Sequence, residues 1–232
     1  MVRSVPADLP ADSELLRGLE PKQIDLLRAA ARQRRFPAKS VITYQSEPAE
    51  QLFLLLTGRV RFFYVTDNGN KLSLLWVTPG KIFGAAALAL SPSTYLVSTE
   101  AVRDSSVLIW DGSSIREIGQ RFPQVMMNAY LTAMDYISWY VGTHATLTSE
   151  TARERLARLL LGYVPAIGRK VSAGIELDVT NEELAEAANI SPYTTSRLIS
   201  EWKRAGAIGK SRRRILLPSK KGLSLPVNGT RF

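Results

Sequence analysis

Apolar positions recur along the 232-residue chain in two rhythms. From Glu14 to Arg32 the spacing is helical, with Leu15, Leu16, Leu19, Ile24, Leu27 and Ala30 on one stripe. From Phe36 to Trp110 the pattern becomes a series of short β-prone runs: Ser40–Tyr44, Leu52–Leu56, Arg59–Val65, Lys71–Val77, Val97–Val102 and Ser106–Trp110. Turn signals separate them at Gly58, Asp67–Asn70, Pro79-Gly80 and Gly84, a layout that predicts a sandwich or barrel. Asn68-Gly69 suits a hairpin turn because both residues tolerate positive φ. Ser113–Ile118 reads as a short helix stopped by Gly119. Residues 1–12, with two prolines, read as loosely ordered.

Beyond Pro123 a long helix is predicted. Met127, Tyr130, Met134, Ile137 and Val141 step alternately by three and four residues, and His144 continues the series. That is a heptad seam. A helix packed on its own barrel also needs an apolar stripe. Tyr136, Trp139 and Tyr140 add aromatic bulk on other faces, so the expected role is a dimer helix touching both its barrel and a second copy. His144–Ser149 is a polar break and a plausible hinge, with Ser149 as N-cap of a helix over 150–164 that ends near Pro165. The expected organisation is a β-rich domain over 1–122, a dimerisation helix and hinge over 123–148, and a third part over 149–232.

That third part carries the sharpest motif. Thr180-Asn-Glu-Glu183 is a capping box. Leu184, Ala187 and Ala188 face inward, and small Ala185 lets a second helix cross closely. Asn189 is at ease in a left-handed turn. Ser191-Pro192 then opens a second helix as N-cap and first helical residue. Its inward side is Thr195, Leu198, Ile199 and Trp202; its outward side is Tyr193, Thr194, Ser196, Arg197 and Ser200. Two capped helices joined by a short turn make a helix-turn-helix, whose second helix enters the DNA major groove. Arg197 can give two parallel hydrogen bonds to guanine, while Thr180, Ser191, Pro192, Thr194 and Ser196 lie where phosphate and base-edge contacts form. Ala207–Lys210 with Arg214–Leu217 predicts a hairpin wing carrying Lys210, Arg212, Arg213 and Arg214 at its tip; Lys220 and Lys221 read as a solvated tail.

Charge sharpens this picture. The formal net charge is +9, and residues 189–221 hold nine Lys and Arg against one acid, Glu201. A one-sided basic excess suits a polyanion, since phosphate neutralisation releases condensed counterions. With no cysteine, disulfides, thiolate zinc sites and cysteine-ligated iron–sulfur clusters are excluded. One histidine, no metal-ligand cluster, no phosphate loop and no nucleophile elbow leave an enzyme poorly supported. No apolar run approaches the ~20 residues of a membrane span, so a cytoplasmic protein is expected.

Five segments together give a resemblance: Phe36-Pro-Ala-Lys-Ser40, Leu52–Val60 ending in Thr-Gly-Arg-Val, Pro79-Gly-Lys-Ile-Phe-Gly84, Thr151-Ala-Arg-Glu-Arg-Leu-Ala157 and Thr180–Arg197. In order and spacing the chain resembles the CRP/FNR family of bacterial regulators over roughly residues 13–220. The resemblance implies an α+β fold: an N-terminal double-stranded β-roll of the cyclic-nucleotide-binding type, a long dimerisation helix, and a C-terminal winged helix-turn-helix. It implies a homodimer on a pseudo-palindromic stretch of double-stranded DNA, with RNA polymerase as a further partner if it activates. The competing class is a ligand-sensing module acting mainly through protein partners.

Cyclic-AMP-responsive members have a glutamate after the Phe-Gly of the effector cassette and an arginine further on. Here Ala85 follows Phe83-Gly84, and Tyr95-Leu96 stands at the arginine. A cyclic phosphate would bury its charge without a cation, at a cost of several kcal/mol. Gly84, Ala85, Ala86, Ala87, Tyr95 and Leu96 are expected to line a more apolar pocket, which either takes another small-molecule effector or is filled by side chains; Arg61 or Arg103 could supply a cation from elsewhere. No cofactor is assigned. His144 reads first as a polar interface residue, with haem ligand or pH switch as second readings. The helix start Ser191-Pro-Tyr-Thr194 differs from the family's common Ser-Arg-Glu-Thr, so an altered operator is expected, with Tyr193 against a base edge.

Overall fold

The computed structural model describes residues 9–10, 13–219 and 223, so the expectations for most of residues 1–12 and for Lys220 and Lys221 lie outside the described residues. Leu9 is buried in the core. Two compact units meet in sequence at Ser138 and Trp139.

The first unit is two four-stranded antiparallel sheets. One has the order β1 (Arg32–Phe36), β8 (Ser105–Asp111), β3 (Gln51–Thr57), β6 (Ile82–Phe83). The other has the order β2 (Val41–Thr43), β7 (Ser98–Ala101), β4 (Val60–Val65), β5 (Lys71–Val77). β3 and β8 are apolar on both faces because both faces are covered. Phe53, Leu55, Val107 and Ile109 pack between the sheets, with Val60 and Val77. Leu52, Leu54, Leu108 and Trp110 pack against helical residues such as Leu27, Ile115 and Val125. The Trp110 indole N–H donates to the Leu27 carbonyl at 2.8 Å. β1 and β6 fall outside the runs expected from sequence. Residues Arg32–Arg35 of β1 are all exposed on an edge strand, and β6 is only two residues long, so neither shows an apolar alternation.

Several boundaries differ from expectation for local reasons. The helix expected over Glu14–Arg32 is split into a 3-10 turn, Glu14–Leu16, and α1 (Pro21–Ala30). Gly18 takes φ +73 between them, and Pro21 restarts the helix behind a box formed by Glu20 and Gln23. α2 runs Gly112–Arg121, past Gly119, which is a packing glycine rather than a stop: a Cβ there would sit 2.6 Å from the Met126 sulfur. Gly58 has φ +94, and a Cβ would overlap Ser105 and the Asp104 carbonyl, which accounts for the glycine of the Thr-Gly-Arg-Val segment.

α3 (Pro123–Ser149) is continuous through the expected hinge. The Ser149 hydroxyl donates back to the Ala145 carbonyl at 2.9 Å, as an in-helix serine does, and is not the next N-cap. Thr151 caps α4 (Ala152–Ile167) in a reciprocal box with Glu154. Those bonds from Thr151, backbone first, hold the Glu154 carboxyl below its usual range. Pro165 lies inside α4, in its last turn, and does not end it.

The second unit continues with a hairpin absent from the sequence expectation, β9 (Gly168–Val171) and β10 (Gly174–Asp178), then α5 (Asn181–Ala187), α6 (Pro192–Arg204), β11 (Gly209–Ser211) and β12 (Arg214–Leu217). The strands form one antiparallel sheet in the order β11-β12-β10-β9. Among the described residues no helix is long and apolar enough to cross a membrane.

Candidate nucleic-acid interface and ligand cavity

α5 and α6 are set by the capping that the sequence announces. The Thr180 hydroxyl accepts from the Glu183 N–H at 3.2 Å, and the Glu183 carboxylate accepts from the Thr180 N–H at 2.8 Å. Ser191 Oγ accepts from the Thr194 N–H at 3.0 Å and shares a 2.9 Å bond with the Thr194 hydroxyl, with Pro192 next at the first helical position. Asn189 makes the turn at φ +50. Arg155 on α4 locks that turn from behind: its guanidinium donates to the carbonyls of Ala188 at 3.2 Å, Asn189 at 3.4 Å and Glu150 at 2.8 Å. This gives a physical reason for the second of the two arginines within Thr151–Ala157.

Thr195, Leu198, Ile199 and Trp202 are buried under α6. Leu184, Ala185 and Ala188 are buried on α5, while Ala187, expected inward, is half-buried. On the outer face of α6, Tyr193 is 79% exposed, and Ser196, Arg197 and Ser200 are exposed beside it. Ser196 also accepts from the Asn181 amide at 3.1 Å, which ties the two helices at the surface.

Arg197 has a partner that sequence reading passed over. Its guanidinium donates to Glu201 Oε1 at 2.9 Å, one turn along α6, and the other oxygen of Glu201 is held by Arg153. Glu201 is therefore an orienting group for the expected base reader, and the i,i+4 spacing of Arg197 and Glu201 was the available signal. On the wing, Ser211 pairs with Arg214, so Arg212 and Arg213 form the exposed two-residue turn. Lys210 is not at the tip. It lies in β11, half-buried, with Nζ 3.5 Å from the Val179 carbonyl, and burial holds its ammonium below the usual range. Arg214 opens β12 and pairs with Glu176, which also pairs with Arg169 at 2.6 Å; the Arg169 bond is the main reason the Glu176 carboxyl sits low.

In the first unit, a cavity of about 460 Å³ brings together Gly84, Ala85, Ala86, Tyr95 and Leu96. Ala87, expected beside them, is buried elsewhere in the core. Gly84 takes φ +76, and a Cβ would lie 2.7 Å from the Gln51 carbonyl oxygen, so the turn into the 3-10 segment Ala85–Leu88 requires glycine. Tyr95 is a structural residue as well as a wall: its hydroxyl donates to the Gln51 carbonyl and accepts from the Gln51 N–H, each at 3.0 Å. Burial raises that phenol above its usual range. Among the described residues, none that lines the cavity carries a charge. Arg61 pairs with Glu100 at 3.1 Å, alongside Lys71, and neither Arg61 nor Arg103 lines the cavity.

α3 closes one wall with Met126, Ala129, Tyr130, Ala133 and Tyr136. The Tyr136 hydroxyl donates to the Ile82 carbonyl at 2.7 Å, and burial raises this phenol strongly. The heptad residues are exposed: Met127, Met134 and Ile137 in the first unit, with Tyr130, which also reaches the cavity, and Val141 and His144 in the second unit's part of the helix. The His144 ring stacks on Tyr140 at 6.2 Å and does not line this cavity.

Comparison with known proteins agrees with this division. A cyclic nucleotide-binding domain model matches residues 33–122, and a Crp-like helix-turn-helix domain model matches residues 154–225. The chain is 27% identical over 196 residues to the cyclic AMP receptor protein of Thermus thermophilus, covering 84% of this chain and 88% of that one. Among solved structures it is similar to FixK2 from Bradyrhizobium japonicum, with a TM-score of 0.74 at 23% identity, covering 83% of this chain and 95% of that one. It is also similar to a CRP-family transcriptional regulator from Thermus thermophilus, with a TM-score of 0.69 at 25% identity over 82% of this chain and 94% of that one.

Proposed function

Because the chain belongs to the CRP/FNR family of DNA-binding transcription regulators, we propose that it works as a homodimer on a pseudo-palindromic operator and does so without cyclic AMP. Half-sites then lie one helical turn apart, ~34 Å. The observation that carries the reading is the exposed face of α6, where Tyr193 and Arg197 stand on a Ser191-capped helix in the same unit as the exposed basic turn Arg212-Arg213. Arg197 takes the base-reading role, held in line by Glu201; Arg212 and Arg213 take phosphates. The exposed heptad Met127, Tyr130, Met134, Ile137, Val141 and His144 supports the dimer.

The uncharged cavity supports independence from cyclic AMP, since a buried cyclic phosphate lacks a cation there. The reading gives the protein no catalytic role and no haem, sets it in the cytoplasm with the DNA, and makes RNA polymerase its protein partner where it activates. Selection of bound sequences from a random DNA pool tests the core of it. A palindromic motif whose binding weakens steeply with salt is expected, with a log–log slope of about −0.9 per phosphate contacted. Sequence-independent retention of the pool, or none, contradicts it.

A further inference from the structure

The cavity beneath Ala85–Leu88 has a chemistry of its own, and the following rests on the reading of the first unit as the effector-binding half. Its walls are aliphatic and aromatic, and apart from that of the exposed Tyr130 the hydroxyls among them are committed elsewhere. Thr43 and Thr99 bond each other at 2.8 Å. Thr132 donates to the Asn128 carbonyl at 3.0 Å. Tyr95 is occupied by the Gln51 backbone and Tyr136 by the Ile82 carbonyl. The aromatic walls are themselves braced: Phe83 stacks on Phe53 with centroids 4.8 Å apart, and Phe62 meets Tyr136 edge-on at 5.3 Å. A volume of about 460 Å³ is that of a site for a whole small molecule.

We infer that this cavity is a binding site for an uncharged, predominantly hydrocarbon small molecule of aromatic or alicyclic shape, and that such a compound is the effector class of this regulator. A charged group brought into it finds no counter-ion among the described lining residues and only the Tyr130 hydroxyl as a side-chain partner, and so keeps most of its desolvation cost. Apolar surface, by contrast, gains on every wall.

Two fluorescent probes that share one ring skeleton test this on the full-length protein: neutral N-phenyl-1-naphthylamine and anionic 8-anilino-1-naphthalenesulfonate. The neutral probe is expected to bind saturably and, within the cavity, at least about tenfold tighter than the sulfonate. Ala86→Phe places a ring in the cavity and should weaken the neutral probe by about tenfold or more while leaving any sulfonate held at the basic surface of the second unit unaffected. Ala133→Phe, which intrudes from α3, serves the same purpose if the first variant does not fold. Neutral-probe affinity unchanged in a folded filling variant overturns the assignment, as does a sulfonate that competes for the same site with equal affinity. Operator binding, measured in the same samples, separates the two readings. A protein that takes the neutral probe in the cavity but no DNA overturns the regulator reading and supports the cavity assignment. One that binds its operator yet shows no neutral-probe site overturns the cavity assignment alone.

Discussion

The cavity of the first unit and the outer face of α6 in the second both rest on locally fixed backbone devices and present opposite chemistry. Around the cavity the backbone devices are intact: Gly84 keeps its positive φ and the short turn Ala85–Leu88 follows it. Ala85 and Tyr95 stand where the family pattern leads one to expect charged groups, and the Tyr95 hydroxyl is bonded to the β3 backbone at Gln51. On α6 the devices are also in place, but here charge is present and organised, with Arg197 held by a carboxylate that is held in turn by Arg153. A fold can preserve the geometry of a site through its glycines and caps while the side chains lining it change what the site recognises.

The largest expected effect strikes the scaffold on the cavity side alone. Gly84→Ala imposes a left-handed conformation on a residue with a Cβ and drives that atom toward the Gln51 carbonyl. A loss of about 2–4 kcal/mol is expected in the first unit. Peptide-resolved hydrogen exchange should show β3 and β6 losing protection while α5 and α6 keep theirs; equal loss in both units would break the comparison.

On the DNA side, Arg197→Ala should cost ~1–3 kcal/mol on the selected operator and relax specificity at one base pair. Uniform loss across operator variants would remove Arg197 from base reading. Glu201→Gln frees Arg197 without deleting it. It should leave total affinity nearly intact, or raise it by removing a negative charge, and lower discrimination between operators by roughly twofold to fivefold. Unchanged discrimination would reduce the Arg153–Glu201–Arg197 chain to a surface ion-pair network.

These residues also mark how far sequence reaches. The helix-turn-helix was legible because capping is local: Thr180 with Glu183 and Ser191 with Pro192 act across one turn of chain. The strands β3 and β8 were legible as apolar runs. Edge strand β1 was not, since Arg32–Arg35 face solvent, and neither was the hairpin β9–β10, whose residues are mostly exposed or half-buried. The split at Gly18 and the continuity of α3 through Ser149 were misread because glycine, proline and polar residues signal breaks only statistically. Which signal wins depends on packing that lies elsewhere in the chain. In the cavity, the loss of charge could be seen in the sequence, but the new use of the Tyr95 hydroxyl required the position of Gln51. Lys210 was misplaced for the same reason: its neighbour is the Val179 carbonyl, 31 residues away.

The smallest expected effect gives the two units opposite signs with pH. The buried phenols of Tyr95 and Tyr136 ionise above their usual 10.0, so the stability they carry is complete below that pH and is lost as the pH rises past it. Lys210 loses its proton in the folded second unit before the usual 10.5, so that unit gains as the pH approaches 10.5. Thermal unfolding of the wild type and of Tyr136→Phe, followed from about pH 9 to 11, should show a shallower alkaline loss in the variant. Identical pH profiles would contradict the burial of that phenol.

The most direct measurement is operator affinity with and without saturating cyclic AMP, using the pool-selected sequence and the wild-type protein. The expected result is specific, salt-dependent binding of equal strength in both conditions. Binding that appears or tightens markedly only when cyclic AMP is present would contradict a regulator with a charged α6 face and an uncharged cavity.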